Sequence, residues 1–283
     1  MSRHLTPVFK MSMKNLNWRK ELDLFFTAMV FLTRLPAPRW VVFEEHYLNE
    51  CSRYFPLVGL LIGLVAAFAY ALGATLFGPL LAIILSMALT VWMTGAFHED
   101  GFADMCDGFG GGWEREQILH IMKDSRLGSY GALGLLLMVV TKFMALLTLE
   151  MQVSGNTSLS NGEYSAAVVV ALLVAHPISR FFAITYIYSL DYVQDSSISK
   201  VESQTRRLTR DALFFAGASI AVVLLWLDVV TVFWISAALV VLYFVFSRYL
   251  LAKIGGYTGD CLGAAQQLSE VIIYVVLCAS LSL

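Results

Sequence analysis

The stretch YFPLVGLLIGLVAAFAYALGATLFGPLLAIILSMALTVWMTGAF, residues 54–97, decides the fold. It holds no Asp, Glu, Lys or Arg, and a helix needs about 20 apolar residues to cross a bilayer. Tyr54 to Phe77 is long enough to span, Gly78-Pro79 supplies a tight turn, and Leu80 to Phe97 returns, so a transmembrane hairpin is expected. The whole chain agrees. Of its 283 residues 58% are hydrophobic and 14% charged, with a mean hydropathy of +0.72, outside the range of soluble globular domains. A formal net charge of −2 leaves no basic excess to neutralise a phosphate backbone, which argues against a nucleic-acid partner.

Upstream of the hairpin, Leu22 to Leu35 is too short to cross before Arg34, Pro36 and Pro38, and reads as a short N-terminal interfacial or re-entrant helix behind a basic segment, residues 1–21. That apolar segment carries no small-residue cleavage site. Downstream, further spans are expected at Tyr130–Glu150, Tyr164–Leu190 (kinked at His176-Pro177), Leu213–Leu227, Val229–Tyr249 and Gln267–Leu281. The expectation is one all-α domain, 1–283, a polytopic membrane bundle of about seven transmembrane helices. Charge placement tests the count: 17 of the 19 Lys and Arg residues fall in or beside segments on one side, and the other two, Lys142 and Arg180, lie inside spans. By the positive-inside rule that side is cytoplasmic. Cys51, Cys106, Cys261 and Cys278 form neither a C-x-x-C pair nor a zinc pattern, so free thiols are expected.

Immediately after residue 97 comes His98-Glu99-Asp100-Gly101-Phe102-Ala103-Asp104-Met105-Cys106-Asp107-Gly108. Asp100, Asp104 and Asp107 sit at i, i+4 and i+7, within roughly 60° of one another on a helix, and so form one acidic stripe. Clustered carboxylates repel unless something positive sits among them, and an oxygen-only set suits a hard cation such as Mg²⁺. Gly101 and Gly108 share an adjacent face and would let a phosphate or another helix come close. Two glycine-rich cytoplasmic loops, 98–129 and 251–264, are expected to meet, bringing Asp260 to the stripe. Lys123, Asp124, Ser125 and Arg126 ahead of Gly128 resemble a phosphate-contacting loop opening onto a helix N-terminus. Lys142, Arg180 and Glu270 within spans face either a cavity or a structural partner. His98 points away from the stripe, and Arg34-Leu35-Pro36 edges the region.

Together, Phe31-Leu32-Thr33-Arg34-Leu35-Pro36, the acidic run, Met122-Lys123-Asp124-Ser125-Arg126-Leu127-Gly128 and Gly259-Asp260-Cys261-Leu262-Gly263-Ala264 resemble the cobalamin synthase family, whose members are also called adenosylcobinamide-GDP ribazoletransferases. One departure is Glu99, where the family pattern has an apolar residue. The resemblance implies a Mg²⁺-dependent enzyme of the bacterial or archaeal inner membrane, with its site facing the cytoplasm. It joins adenosylcobinamide-GDP to α-ribazole or its 5′-phosphate and releases GMP. It further implies Asp100 and Asp104 as Mg²⁺ ligands, Asp107 as ligand to a second ion or acceptor of the hydroxyl proton, Asp260 completing the site, and Arg126 stabilising the leaving group. Lys123, Ser125, Gly101, Gly108 and Arg34 are then expected at the substrate. Lipid surrounds the chain, and self-association or contact with other corrinoid-assembly enzymes is open. Two other readings compete: a phospholipid-making CDP-alcohol phosphotransferase, disfavoured by Asp104 where that motif has arginine, and a divalent-cation carrier, disfavoured by carboxylates at the end of a span.

Overall fold

A computed structural model describes residues 18–154, 164–193 and 207–280. The basic residues Arg3, Lys10 and Lys14, most of the expected 151–162 loop, and 194–206 of the charged loop lie outside the described residues. The elements are α1 (Trp18–Leu32), α2 (Tyr47–Glu50), a 3-10 turn (Cys51–Tyr54), α3 (Phe55–Phe77), α4 (Pro79–Thr94), α5 (Phe97–Gly111), α6 (Arg115–Met122), α7 (Ser129–Ser154), α8 (Ala166–Ser189), α9 (Arg210–Leu224), α10 (Val229–Ile254) and α11 (Gly259–Ser280). Among the described residues the fold is all-helical, with a lone bridge between Tyr192 and Tyr257.

Five helical segments are long and apolar enough to cross a membrane: Tyr47–Phe77, Ser129–Gln152, Ala166–Ser189, Val229–Ile254 and Gly259–Ser280. A sixth is counted if α4 and α5 are taken as one bent span. About seven were expected; among the described residues α4 and α9, with 16 and 15 residues, fall short of this length test. Helix α9 has 15 residues, about 22 Å at 1.5 Å per residue, against a hydrocarbon core of about 30 Å. Helix α1, also 15 residues, is too short to cross, as expected.

The hairpin turn is where the sequence places it: Gly78 takes φ 83° and Pro79 opens α4. The second limb differs from expectation. It stops at Thr94, Gly95 and Ala96 adopt left-handed backbone (φ 69° and 59°), and α5 departs at 85° to α4. The stretch 98–129 is therefore not a loop; most of it is α5 and α6. Likewise α10 runs to Ile254 and α11 starts at Gly259, so only 255–258 connects them, and α11 begins well before the expected Gln267. Glycine costs a helix about 1 kcal/mol relative to alanine. Here that cost is offset by packing, because the bare faces of α5 lie against other helices.

Helix α3 packs on α8, where a Cβ on Gly63 would come 2.8 Å from the Leu172 carbonyl oxygen. Their shared core includes Ala67, Tyr70, Leu172 and Ala175. A second core holds α5 and α6 against α10 and α11 through Phe102, Ile118, Leu250 and Ala264. Helix α10 is capped by Asp228, which accepts from the backbone N–H of Val230 (2.9 Å) and Thr231 (3.0 Å). All four cysteines are free.

Candidate active site

Helix α5 crosses the first turns of α7 and α11. It can do so because Gly101 presents no side chain: a Cβ there would lie 2.9 Å from the Asp260 Cα and 3.2 Å from its carbonyl oxygen. That approach brings the first turn of α11 to the acidic stripe. Asp104 is half-buried and lies within electrostatic reach of Asp100, Asp260 and Asp107. Asp100 is exposed and Asp260 half-buried. Among the described residues no ion pair joins any of these four carboxylates to a basic side chain. The expected convergence of Asp260 with the stripe is thus present.

Among the described residues no three His, Cys, Asp or Glu side chains stand close enough to enclose a metal ion. The donor chemistry nevertheless fits Mg²⁺, which keeps several waters and takes only one or two carboxylates, the rest of its shell coming from substrate phosphate.

Asp107 does something the sequence reading missed. Its side chain is 7% exposed, and its two oxygens accept the backbone N–H groups of Gly128 (2.7 Å) and Gly131 (2.8 Å). A carboxylate over the open N–H groups of a helix start is favoured both by hydrogen bonding and by the helix dipole. The acidic helix is thereby fastened to the start of α7. Neither glycine tolerates a Cβ, which would overlap the Asp107 carboxylate.

The connection from Lys123 to Gly128 leads into that fastening point. Arg126 is 87% exposed at its side chain and grips Asp124 through Nε (3.0 Å) and Nη2 (2.6 Å). Hydrogen bonds from the Arg126 side chain, then from its backbone N–H, hold the Asp124 carboxyl at about 2. Lys123 caps the end of α6, and Ser125 is exposed. Gly101 and Gly108 are covered by helices, Gly101 by α11 and Gly108 by Met122 and Ile118 of α6, so of the two expected uses the structure has helix approach. Arg34 is exposed at the α4–α5 joint, where Gly95 leaves it room: a Cβ there would be 2.7 Å from Arg34 Nε.

A second polar group lies inside the bundle. Lys142 Nζ is 3.0 Å from Glu270 Oε1. Gln266 Nε2 donates to Glu270 Oε2 (2.7 Å), the Tyr274 hydroxyl donates to Oε1 (3.2 Å), and His176 Nδ1 stands 3.8 Å from Oε2. Arg180 donates to the His176 carbonyl oxygen (3.0 Å), and Gln267 donates to Glu99 Oε1 (3.0 Å). Lys142, Arg180 and Glu270 are each noticeable in the sequence as charges within spans. Gln266, Gln267 and Tyr274 are not, although each lies three or four residues from Glu270, which puts them on its side of α11.

The sequence model of the family described as cobalamin-5-phosphate synthase matches residues 24–278. A Shewanella frigidimarina protein named adenosylcobinamide-GDP ribazoletransferase is 46% identical over 265 residues, covering 93% of this chain and 97% of that one. A Shewanella halifaxensis protein of the same name is 43% identical, covering 92% and 96% of the two chains. No solved structure matches.

Proposed function

The chain belongs to the cobalamin-5-phosphate synthase family, and from that premise we propose how its own residues carry out the reaction. It is a transferase of cobalamin synthesis that joins adenosylcobinamide-GDP to ribazole. The observation that carries the site assignment is the meeting of Asp100, Asp104 and Asp260, from two helices, with no basic partner among the described residues.

In the reaction the ribazole 3′-oxygen forms a bond to the phosphorus on the corrinoid arm. The bond from that phosphorus to the bridging oxygen breaks, and GMP leaves with the electron pair. Two carboxylates of the group, Asp104 with Asp100 or Asp260, would hold Mg²⁺, which when bound neutralises charge on the diphosphate. The hydroxyl proton passes to the carboxylate of this group that the ion leaves free. Arg126 exchanges its grip on Asp124 for the departing phosphate, a planar bidentate contact to which guanidinium is suited. Asp107 keeps the Lys123–Gly128 segment at a fixed height over the stripe. Catalysis of this type is mostly positioning and charge neutralisation. The excess of basic residues on the same side of the bundle supports an inner-membrane orientation with this face in the cytoplasm.

The test is GMP release from adenosylcobinamide-GDP and α-ribazole by the full chain in lipid nanodiscs. Mg²⁺ should be required, and Asp104→Asn should cost at least about a hundredfold in turnover while the protein stays folded. Turnover that persists after exhaustive chelation, or an unaltered Asp104→Asn rate at limiting Mg²⁺, overturns the metal assignment.

A further inference from the structure

A cavity of about 470 Å³ lies inside the bundle, beside the first turn of α5. Its floor is the polar group built on Glu99, Gln267 and Glu270, and its walls are apolar, with Met87, Met138 and Phe143 among them. The mouth falls between α4 and α7. Ile84 and Ala88 on one side, and Val139 and Val140 on the other, line it and are exposed, apolar side chains of the kind that face lipid. A ligand would thus arrive from the bilayer.

The floor constrains what that ligand is. Lys142 and Arg180 are matched by Glu99 and Glu270, two charges against two, so there is no excess cation for a phosphate. Three buried polar atoms on it, Glu99 Oε2, Gln267 Oε1 and Arg180 Nε, have no hydrogen-bond partner. Buried polar atoms are nearly always paired, and two acceptors with one donor correspond to a molecule offering hydroxyls and a ring nitrogen. The volume is that of a drug-sized ligand site, about 300–1,000 Å³. A corrinoid is far too large for it.

We propose that this cavity receives the benzimidazole base of the ribazole acceptor from the membrane and sets the ribose hydroxyls at Glu99 and Gln267, next to the acidic stripe. The inference rests on the ribazoletransferase reading. It gives Glu99 a place at the substrate: it follows His98 at the cavity and precedes Asp100 on the stripe. The base is apolar and flat, so membrane partitioning concentrates it where the mouth opens. A 5′-phosphate, where present, stays outside the charge-balanced floor.

The experiment uses the full chain in nanodiscs, with each substrate varied while the other saturates. Ala88→Trp and Val139→Trp fill the mouth from opposite walls at exposed positions, so one misfolded variant does not remove the test. Each should raise the KM for α-ribazole about tenfold and leave the KM for adenosylcobinamide-GDP unchanged. Glu99→Gln should raise the same KM severalfold, and equilibrium dialysis of α-ribazole alone should show matching losses of affinity. An acceptor KM unmoved in both tryptophan variants overturns the proposal. So does a shift confined to the cobinamide substrate, or displacement of a bound phospholipid with no change in acceptor KM. Failure of the wild type to release GMP would instead overturn the activity reading, which keeps the two outcomes separate.

Discussion

Replacing Asp107 with asparagine separates a fastening role from a metal-ligand role. The carboxylate accepts two backbone N–H groups, at 2.7 Å and 2.8 Å, and hydrogen bonds to charged groups contribute about 1.5–3 kcal/mol each. Asparagine keeps one acceptor oxygen but turns an NH₂ group toward the other N–H, which loses one bond and leaves a donor facing a donor in a site 7% exposed. The expected cost is about 3 kcal/mol, or a fall in the apparent melting midpoint of roughly 6–12 °C at about 2–4 °C per kcal/mol for a chain of this size. Turnover should drop because the Lys123–Gly128 segment loosens, and the Mg²⁺ concentration giving half-activation should hold within about twofold. Gly128→Ala, which drives a methyl group into the same carboxylate, should reproduce the pattern. Thermal scans with Mg²⁺ titrations of activity decide the matter. An unchanged midpoint together with a raised Mg²⁺ requirement in Asp107→Asn refutes the fastening role and restores Asp107 to the metal.

Inside the bundle, Lys142→Met or Glu270→Gln alone should destabilise by about 3–5 kcal/mol, because each strands its partner, while the double variant should recover part of the loss; a melting series in which the single costs simply add shows the pair to be uncoupled. At the surface, the Asp124 carboxyl is held at about 2, below the unfolded value of about 3.9. Its pairing with Arg126 is therefore fully present above pH about 4 and is lost only as pH falls through about 2. Asp124→Asn should leave the shape of the pH–rate profile between about pH 6 and 9 unchanged, and a displaced limb in that range would show that Asp124 titrates there.

The membrane hairpin is legible in the sequence because residues 54–97 carry no charge and a Gly-Pro pair breaks them in the middle. The 85° turn at Gly95 is not, since apolar composition continues through it and only backbone geometry marks the change of direction. Helix α9 is legible as the apolar run from Leu213 to Leu227, although its 15 residues fall short of the length that marks a span most clearly. On the acidic stripe, periodicity places Asp100, Asp104 and Asp107 together, yet it cannot tell a carboxylate open to ligand from one taken up by a helix start. That difference depends on α7 packing against α5, with Gly128 and Gly131 both beneath Asp107. In the buried polar group, Lys142, Arg180 and Glu270 stand out singly because charge within a span is rare. Their meeting, and the recruitment of Gln266 and Gln267, follow from the packing of α7, α8 and α11, which leaves no local pattern in the chain.

The contact at Gly101 also bears on genetics. What a side chain at 101 would strike is the Asp260 main chain, at 2.9 Å and 3.2 Å, and no exchange of residue 260 shortens its backbone. A selection for revertants of Gly101→Ala should therefore return glycine itself and few second-site suppressors. Gly108 meets the side chain of Met122 as well as the Ile118 carbonyl oxygen, so a trimmed residue at 122 offers Gly108→Ala a partial escape. Two glycines of one helix, seven residues apart, thus leave different amounts of room for inheritance to work around a lesion.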